Sequence, residues 1–509
     1  MFKKTVTVLS ISVLSASLAA CGSGDSKSSS GSPSPSGSAS SSPEANKPKP
    51  QLRVLNQYAQ FDPNTDPVGQ YLKEKTGYDV KYDMLPVENA DEKLNLLMNG
   101  KEPYDIMKLS KNQFEKLAAA GALEPLDDLI AKYGKNMKEV IGKDSWDGAM
   151  LNGKTYAIPE GGSSLGVNSA FIVRQDWIDE LGLKMPNNLD ELYTMLKTIK
   201  EKKNVIPLTG GKDPIVQEIA TVFGLRVMGA PWNTWKEVDG KIIHVAEDPA
   251  MKEYIAYMKK LYNEGLIDSE WAINQSNKLI EKFTSGKAAM FKMNWANAQT
   301  VTEALAKNFP DAKMGIVPFL QDKEGKRTAV GSGGISWYIA VPKWAPNKEE
   351  ALKFMDLKLD KDIFKGLAIG QEGVHHTVKD GKYYPILPIF NEKWNNGSYF
   401  ITGVDEKMYP IYWQARVRKN EHVQKYYETY QENAKENLVG DPLRSAPPID
   451  VISKNSQRLN KLLEDTLIKI ITTQDSVDSY DKFLTQWKTD GGDEMVKAAN
   501  EWYKTAAKK

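Results

Sequence analysis

The side chains that could do chemistry in this chain are aromatic and polar rather than a recognisable catalytic set. The sequence has 12 Trp and 22 Tyr, but only four His and one Cys. His375 and His376 are adjacent, and regular secondary structure directs neighbouring side chains apart, so the two do not make a shared metal site. No HExxH pattern is present. Binding is therefore favoured over catalysis, and we expect no cofactor and no metal.

One amide and one aromatic residue stand at the predicted end of a strand. In the stretch Phe283–Trp295, Gly286 is a natural helix-ending residue because it accepts a left-handed backbone. Residues 288–293 then read as a short buried strand, which Asn294 and Trp295 follow. Ligands of open α/β sheets gather at the carboxyl ends of strands. The stretch therefore predicts a binding position at Asn294 and Trp295.

The N-terminus reads as an export signal with a lipid attachment site. Residues 1–20 carry Lys3 and Lys4 before an apolar run that is too short to span a bilayer, and the run ends at Cys21. That arrangement resembles a bacterial lipobox, in which the cysteine is acylated and becomes the mature N-terminus. An ordinary secretory signal with an incidental thiol is the alternative. Residues 21–50 are rich in Ser, Gly and Pro and predict a disordered tether.

The remaining chain is too long for one core and predicts two lobes. The full sequence has a formal net charge of +1, which is nearly neutral, and it has no basic block, which argues against a nucleic-acid partner. Strand and helix alternate from Leu52 to Gly121, as in a parallel sheet with covered faces. We assign 51–160 to the first lobe, 161–315 to the second, 316–370 to a return into the first, and 371–509 to the second lobe with a helical C-terminal portion. Residues 159–162 are the predicted hinge, because adjacent glycines absorb backbone change.

Several passages in this order resemble a known family. They are Leu151–Pro159 (LNGKTYAIP), Phe283–Met290 (FTSGKAAM), Ile335–Pro342 (ISWYIAVP), Asn347–Phe354, Gln371–His376 and Asn500–Tyr503. The chain is similar to the carbohydrate-type extracellular solute-binding proteins of ABC importers, the maltose-binding-protein-like family 1, and within it to the large Bacillus and Paenibacillus lipoprotein branch. This resemblance implies an α/β, two-lobed periplasmic-binding-protein-like clamp of type II with multiple hinge crossings.

The same resemblance implies function and partners. A monomeric receptor, lipid-anchored on the outer face of a Gram-positive cell membrane, would close over an oligosaccharide and deliver it to the transmembrane subunits of a permease. A surface glycoside hydrolase, a polysaccharide lyase, or a sugar sensor or adhesin outside transport remain alternatives. The alginate-binding members carry an acidic calcium loop, which residues 201–207 lack, so we expect no calcium there. The sugar itself stays open.

Sugars present flat C–H faces and many hydroxyls, which suit aromatic rings and planar polar side chains. The resemblance supports Trp295 as a stacking residue, Glu160 as an acid at the first crossing, and Trp413 as a late aromatic contact. Position and residue type alone add the other candidates, which are Asn294, Trp232, Trp235, Trp337, Tyr58 and Glu372. Each has a structural alternative: Trp295 could anchor the next helix, the pair Trp232 and Trp235 could cap a lobe, and Trp337 could belong to the core.

Overall fold

The computed structural model describes residues 48–211, 215–226 and 235–506, with the side chains of 162–164 and 506 left out. Residues 49–509 form one compact unit. Cys21, the predicted signal and most of the predicted tether lie outside the described residues, as does Trp232. All elements given below belong to the unit 49–509. In its described part, no helix combines the length and apolarity needed to cross a membrane.

The first segment builds most of the first sheet, as the alternation of strands and helices predicts. Asp66 caps the first helix, and Ser110 forms a capping box with Gln113 on the third. Asn152 and Gly153, a residue pair that favours hairpin turns, connect β4 and β5. The elements are β1 Leu52–Asn56, α1 Pro67–Thr76, β2 Val80–Met84, α2 Ala90–Asn99, β3 Ile106–Leu109, α3 Lys111–Ala119, α4 Asp127–Tyr133, α5 Lys135–Val140, α6 Lys143–Gly148, β4 Met150–Leu151, β5 Lys154–Thr155 and β6 Ala157–Gly166.

The second segment builds the second sheet. Asn188 caps its longest helix by accepting from the backbone N–H of Glu191. Gly286 adopts φ +76° just before the strand that the sequence predicts there, which confirms its role as a helix terminator. The elements are β7 Ser169–Arg174, α7 Gln175–Glu180, α8 Leu189–Lys203, β8 Ile206–Leu208, α9 Gln217–Ala220, β9 Trp235–Val238, β10 Lys241–His244, α10 Met251–Asn263, α11 Ser276–Thr284, β11 Ala288–Asn294, α12 Ala298–Asn308 and β12 Met314–Ile316.

The third segment returns to the first sheet and the fourth to the second. The third comprises β13 Ala329–Val330, β14 Ser332–Ala340, α13 Lys348–Leu357, α14 Lys361–Ile369, β15 His376–Lys379, β16 Lys382–Pro385, α15 Ile389–Lys393 and α16 Tyr409–Val417. The fourth comprises α17 Glu421–Ala434, β17 Leu438–Val439, α18 Asp450–Thr472, α19 Ser479–Trp487 and α20 Asp493–Ala506.

The two main sheets have different strand orders. The first runs β2-β1-β3-β14-β6, with β14 antiparallel to both of its neighbours. The second runs β12-β7-β11-β8, with β7 antiparallel to β11 and β12. Each sheet has its own buried clusters on both faces. We call the residues around the first sheet the first lobe and those around the second sheet the second lobe.

The chain passes between the lobes later than the sequence analysis places its boundaries. β6 stays in the first sheet as far as Gly166, and β12 is still part of the second sheet. The assignment of 371–509 to the second lobe differs most, because Phe390, Trp394 and Phe400 pack in the first lobe's core with Val68 and Leu72. Only from α17 onward does the chain pack on the second lobe. The C-terminal portion is mostly helical, as predicted.

Candidate functional site

The inner edge of the second sheet is formed by strand ends that point the same way. β8 and β11 are parallel, so their carboxyl ends meet, and the start of antiparallel β7 joins them where Ser169 pairs with Asn294. A cavity of about 310 Å³ opens there. Besides apolar side chains such as Phe171, Trp271 and Phe291, its lining includes Ser169, Thr209, Asn274, Gln275, Asn294 and Asn297.

The cavity wall is held by a buried polar network. Asp268, 2% exposed, accepts from the Thr209 hydroxyl at 2.6 Å and from the Asn274 amide at 2.9 Å. The Lys282 ammonium reaches the same carboxylate at 2.7 Å. Although burial opposes it, these hydrogen bonds hold the pKa of Asp268 below its ordinary value. Asp268 is therefore ionised at neutral pH, and its hydrogen bonds hold this wall of the cavity in place.

The inner edge of the first sheet carries three of the predicted residues. Glu160 in β6 and Trp337 in β14 are direct partners across the strands. Tyr58 follows β1 and is 50% exposed. β1, β3 and β6 all run the same way, since β14 is antiparallel to both β3 and β6. Tyr58, Glu160 and Trp337 therefore lie along one edge.

A buried charge cluster stands behind that edge. The Lys108 ammonium lies 2.7 Å from the Glu160 carboxylate and 5.7 Å from the centroid of the Trp337 ring. It also donates to the Ile401 carbonyl at 3.3 Å. Burial raises the pKa of Glu160, against the opposing effect of Lys108 and Lys358. Burial lowers the pKa of Lys358 to about 7, and the charge of Lys108 lowers it further while Glu160 opposes.

Three crossings connect the two inner edges. At the first, the Asn168 amide donates to the Ser332 hydroxyl at 2.8 Å. The Gln431 side chain from α17 accepts a hydrogen bond from the Val167 N–H and donates one to the Val167 carbonyl. At the second crossing, β13 pairs in parallel with β17. The crossing strands thus lie side by side, which is the arrangement expected of a hinge.

Asn294 and Trp295 lie where the sequence analysis places them, at the end of β11. Asn294 is exposed, and its side chain accepts from the Ala296 N–H at 2.9 Å. Trp295 is half-buried, and its ring lies 5.1 Å from that of Tyr427 in an edge-to-face contact. It therefore combines an anchoring contact with a partly open surface.

The other candidates are scattered. Trp413 is half-buried on α16, 6.1 Å from the ring of Tyr409. Glu372 lies beside the β15–β16 hairpin and pairs with Lys365 at 3.2 Å, and no described contact joins it to an inner edge. Trp235 is 1% exposed and packs on His244. Its placement is that of a core residue and does not support ligand contact. For the remaining candidates, ligand contact stays a prediction.

Sequence reasoning missed Lys108, Lys358 and the amides of the second-lobe cavity other than Asn294. A signal existed for Lys108, because a lysine inside an otherwise apolar strand must find a buried partner. The sequence around Lys358 gives no such signal, because Lys358 belongs to a charged stretch that is typical of a solvent-exposed surface. Asn297 follows Trp295 by two residues but had no pattern of its own.

Two stretches match the spacing of catalytic motifs, and the structure explains both. Gly148–Thr155 has the spacing GxxxxGKT, but it forms the β4–β5 hairpin instead of a loop that opens a helix. Residues 162–166 read GxSxG, but they continue strand β6 and lead into β7. Neither backbone is a phosphate cradle or a nucleophile turn. Among the described residues, no group of His, Cys, Asp or Glu could hold a metal ion.

Two α/β lobes joined by crossings, with amide and aromatic side chains at their inner edges, define a two-lobed ligand-binding protein. The model of the bacterial extracellular solute-binding protein family matches residues 59–362, and the chain belongs to that family. The predicted family is therefore confirmed.

Relatives match over half of the chain or more. An uncharacterized protein of Niallia circulans is 54% identical over 256 residues, covering 50% of this chain and 100% of that protein. Lipoprotein LipO of Bacillus subtilis is 26% identical and covers 86% of this chain and 88% of the relative. The polygalacturonan/rhamnogalacturonan-binding protein YtcQ of the same species is 23% identical, with 87% and 89% covered.

Solved structures confirm the predicted fold class. The alginate-binding protein AlgQ2, in a calcium-free crystal structure, superposes with a TM-score of 0.68 at 20% identity, over 90% of this chain and 99% of that one. FusA of Streptococcus pneumoniae in complex with kestose gives 0.68 at 17% identity, over 90% and 100%.

Proposed function

We propose that this protein is the carbohydrate receptor of an ABC importer, which binds an oligosaccharide between its lobes and presents it to the permease. The observation that carries the proposal is the pair of inner edges joined by crossings, with Trp295 and Asn294 on one side and Trp337 and Glu160 on the other. Aromatic rings at both edges, with the Asn294 amide at one and the Glu160 carboxylate at the other, suit the faces and hydroxyls of a sugar. Relatives named for binding sugar polymers support the ligand class.

The proposal includes the place where the receptor works. Acylation of Cys21 would hold the folded unit on the outer face of a Gram-positive cell membrane by lipid chains. The relative LipO, which is named a lipoprotein, supports this address. We propose a monomer, with the permease subunits as its protein partners.

Binding without catalysis is the function that the site supports best. A glycoside hydrolase needs one carboxyl group that donates a proton and a second that acts as a base or nucleophile. At the first inner edge, Glu160 is instead bound to Lys108 at 2.7 Å. Relatives are named as binding proteins. Closure around the sugar would select the form that the permease recognises.

Calorimetric titration of the mature chain with a panel of neutral and acidic tetrasaccharides tests the proposal, and chromatography of the same mixtures detects products. We expect saturable binding of at least one sugar and no turnover. Release of products by catalytic amounts of protein would contradict it, and so would a panel without any binder.

Trp295→Ala locates the site. Because the ring has an open surface and one edge-to-face neighbour, we expect a folded variant whose affinity falls by about 1–3 kcal/mol, roughly 5- to 150-fold. Trp502→Ala, at a half-buried tryptophan on the last helix, is the control and should bind normally. An unchanged affinity in folded Trp295→Ala would remove Trp295 from the site.

A further inference from the structure

The cavity at the inner edge of the second sheet has polar side chains that the protein does not use. Gln275, Ser276 and Asn297 line it, and none of their side chains makes a hydrogen bond to a described residue. Asn294 uses its side-chain oxygen as an acceptor, which leaves its amide N–H groups free. Unused donors and acceptors beside Phe171 and Phe291 are what a sugar unit requires.

The size of the cavity fits one end of a ligand. Its volume of about 310 Å³ is at the small end of the range for ligand pockets, about 300–1,000 Å³. The described residues that line it all belong to the second lobe, and they include Gly210 and Gly211 after β8 and the start of α11. A terminal sugar unit can therefore enter it, and the rest of the chain would continue past Trp295 toward the first lobe.

The described lysines at and near the cavity are paired with carboxylates. Lys292 is the one charged side chain among the described lining residues. Its ammonium lies 3.4 Å from the carboxylate of Glu218, which is 7% exposed. The nearby Lys282 is bound to Asp268 and Glu270, each at 2.7 Å. Among the described residues around the cavity, a ligand carboxylate would therefore find no unpaired cation.

Glu218 acts on the cavity through Lys292. It is buried and is not among the described residues that line the cavity. Its part is therefore to pair with the Lys292 ammonium, and it does not contact the ligand. Together, the free amides and the paired charges distinguish between neutral and acidic sugars.

We infer that the second-lobe cavity binds an uncharged terminal sugar unit and discriminates against a uronic acid at that position. This inference rests on the proposed function and names the class of ligand that the site takes. Asn297, Gln275 and Asn294 provide the hydrogen bonds, and Glu218 holds Lys292 so that it does not attract an anion.

Titrations of the mature chain against matched probes test the inference. We use cellotetraose, xylotetraose and nystose as neutral probes, and tetragalacturonate with its neutral methyl ester as an acidic and neutral pair. We expect the best neutral probe to bind at least tenfold more tightly than tetragalacturonate. Asn297→Leu, and Gln275→Leu as a second variant at an exposed position, should each weaken that neutral probe by about tenfold or more at unchanged Tm.

Glu218→Gln gives a readout that a structural role would not produce. With Lys292 released, affinity for tetragalacturonate should rise by about tenfold, while affinity for the neutral probe stays within about threefold. Glu281→Gln removes the same charge from an exposed pair with Lys278 on α11 and should change neither affinity.

The outcomes separate the two proposals. If no probe binds, the proposed function fails and the inference fails with it. If neutral probes bind but tetragalacturonate binds as tightly, or both cavity variants bind normally, the inference alone is wrong. A Glu218→Gln variant that gains nothing for the acidic probe also overturns the assigned role of Glu218 and Lys292.

Discussion

Replacing Lys358 by Met should stabilise the protein at neutral pH. Lys358 is 2% exposed at the end of α13, and its ammonium lies 4.8 Å from the ring centroid of Phe354. Its pKa falls from 10.5 to about 7. That difference corresponds to on the order of 5 kcal/mol between charged and neutral lysine in the fold. Methionine keeps a similar length without a charge to bury, so we expect a gain of about 2 kcal/mol or more at pH 7.

The sign of the pH dependence follows from the same numbers. Between pH 7 and 10.5 the unfolded chain holds a proton on Lys358 that the folded protein releases. Stability from this group is therefore complete above pH 10.5 and is lost as the pH falls toward about 7. In this interval it contributes a slope of about 1.4 kcal/mol per pH unit, rising with pH. Lys358→Met should remove that contribution.

The assay is urea and thermal unfolding of both proteins between pH 7 and 9.5. The stability advantage of Lys358→Met should be largest at pH 7 and shrink as the pH rises. Lys361→Met, at an exposed lysine that begins α14, is the control and should leave both stability and slope unchanged. A Lys358→Met variant that is less stable at pH 7, with the slope of the parent, would refute the reasoning and show that Lys358 is charged and well paired in the fold.

Two further predictions concern the strand pairing and the anchor. Gly161→Ala should destabilise by about 1–3 kcal/mol in urea unfolding, because the added Cβ would lie 2.2 Å from the Gly334 carbonyl oxygen; Gly100→Ala, where the nearest atom is 3.4 Å away, should be near neutral, and equal effects would contradict the clash. Cys21→Ser should abolish incorporation of labelled fatty acid and release the protein into the medium; retention of the variant on cells would show another means of attachment.

Local features of the fold could be predicted because short-range chemistry fixes them. Ser110 and Asn188 cap helices, and Gly77 ends one with φ +70°, each for a reason that lies within a few residues. The partners of a strand are a different matter. Residues 335–341 read as a strand by themselves, but the place of β14 between β3 and β6 depends on pairing with residues far away in the sequence.

The site was predictable where a strand end fixes it and unpredictable where tertiary packing decides. Asn294 and Trp295 follow β11, so their location follows from the strand itself. Position and residue type make Trp235 a candidate, yet it opens β9 and is buried. Its ring contacts His244, which in turn contacts the ring of Trp487. The sequence around Trp235 does not reveal this packing, because Trp487 lies far away in the chain.

The position of β14 in the first sheet sets the order in which the protein can fold. This strand lies between β3 and β6, so a chain that ends before residue 332 leaves both with an unpaired side. The core of the first lobe also needs residues up to Ala415. A chain that is threaded through a membrane from its N-terminus must therefore emerge almost completely before either lobe can close its core. Because pairing over such long sequence distances slows folding, the strands of the first sheet stay unpaired during that time.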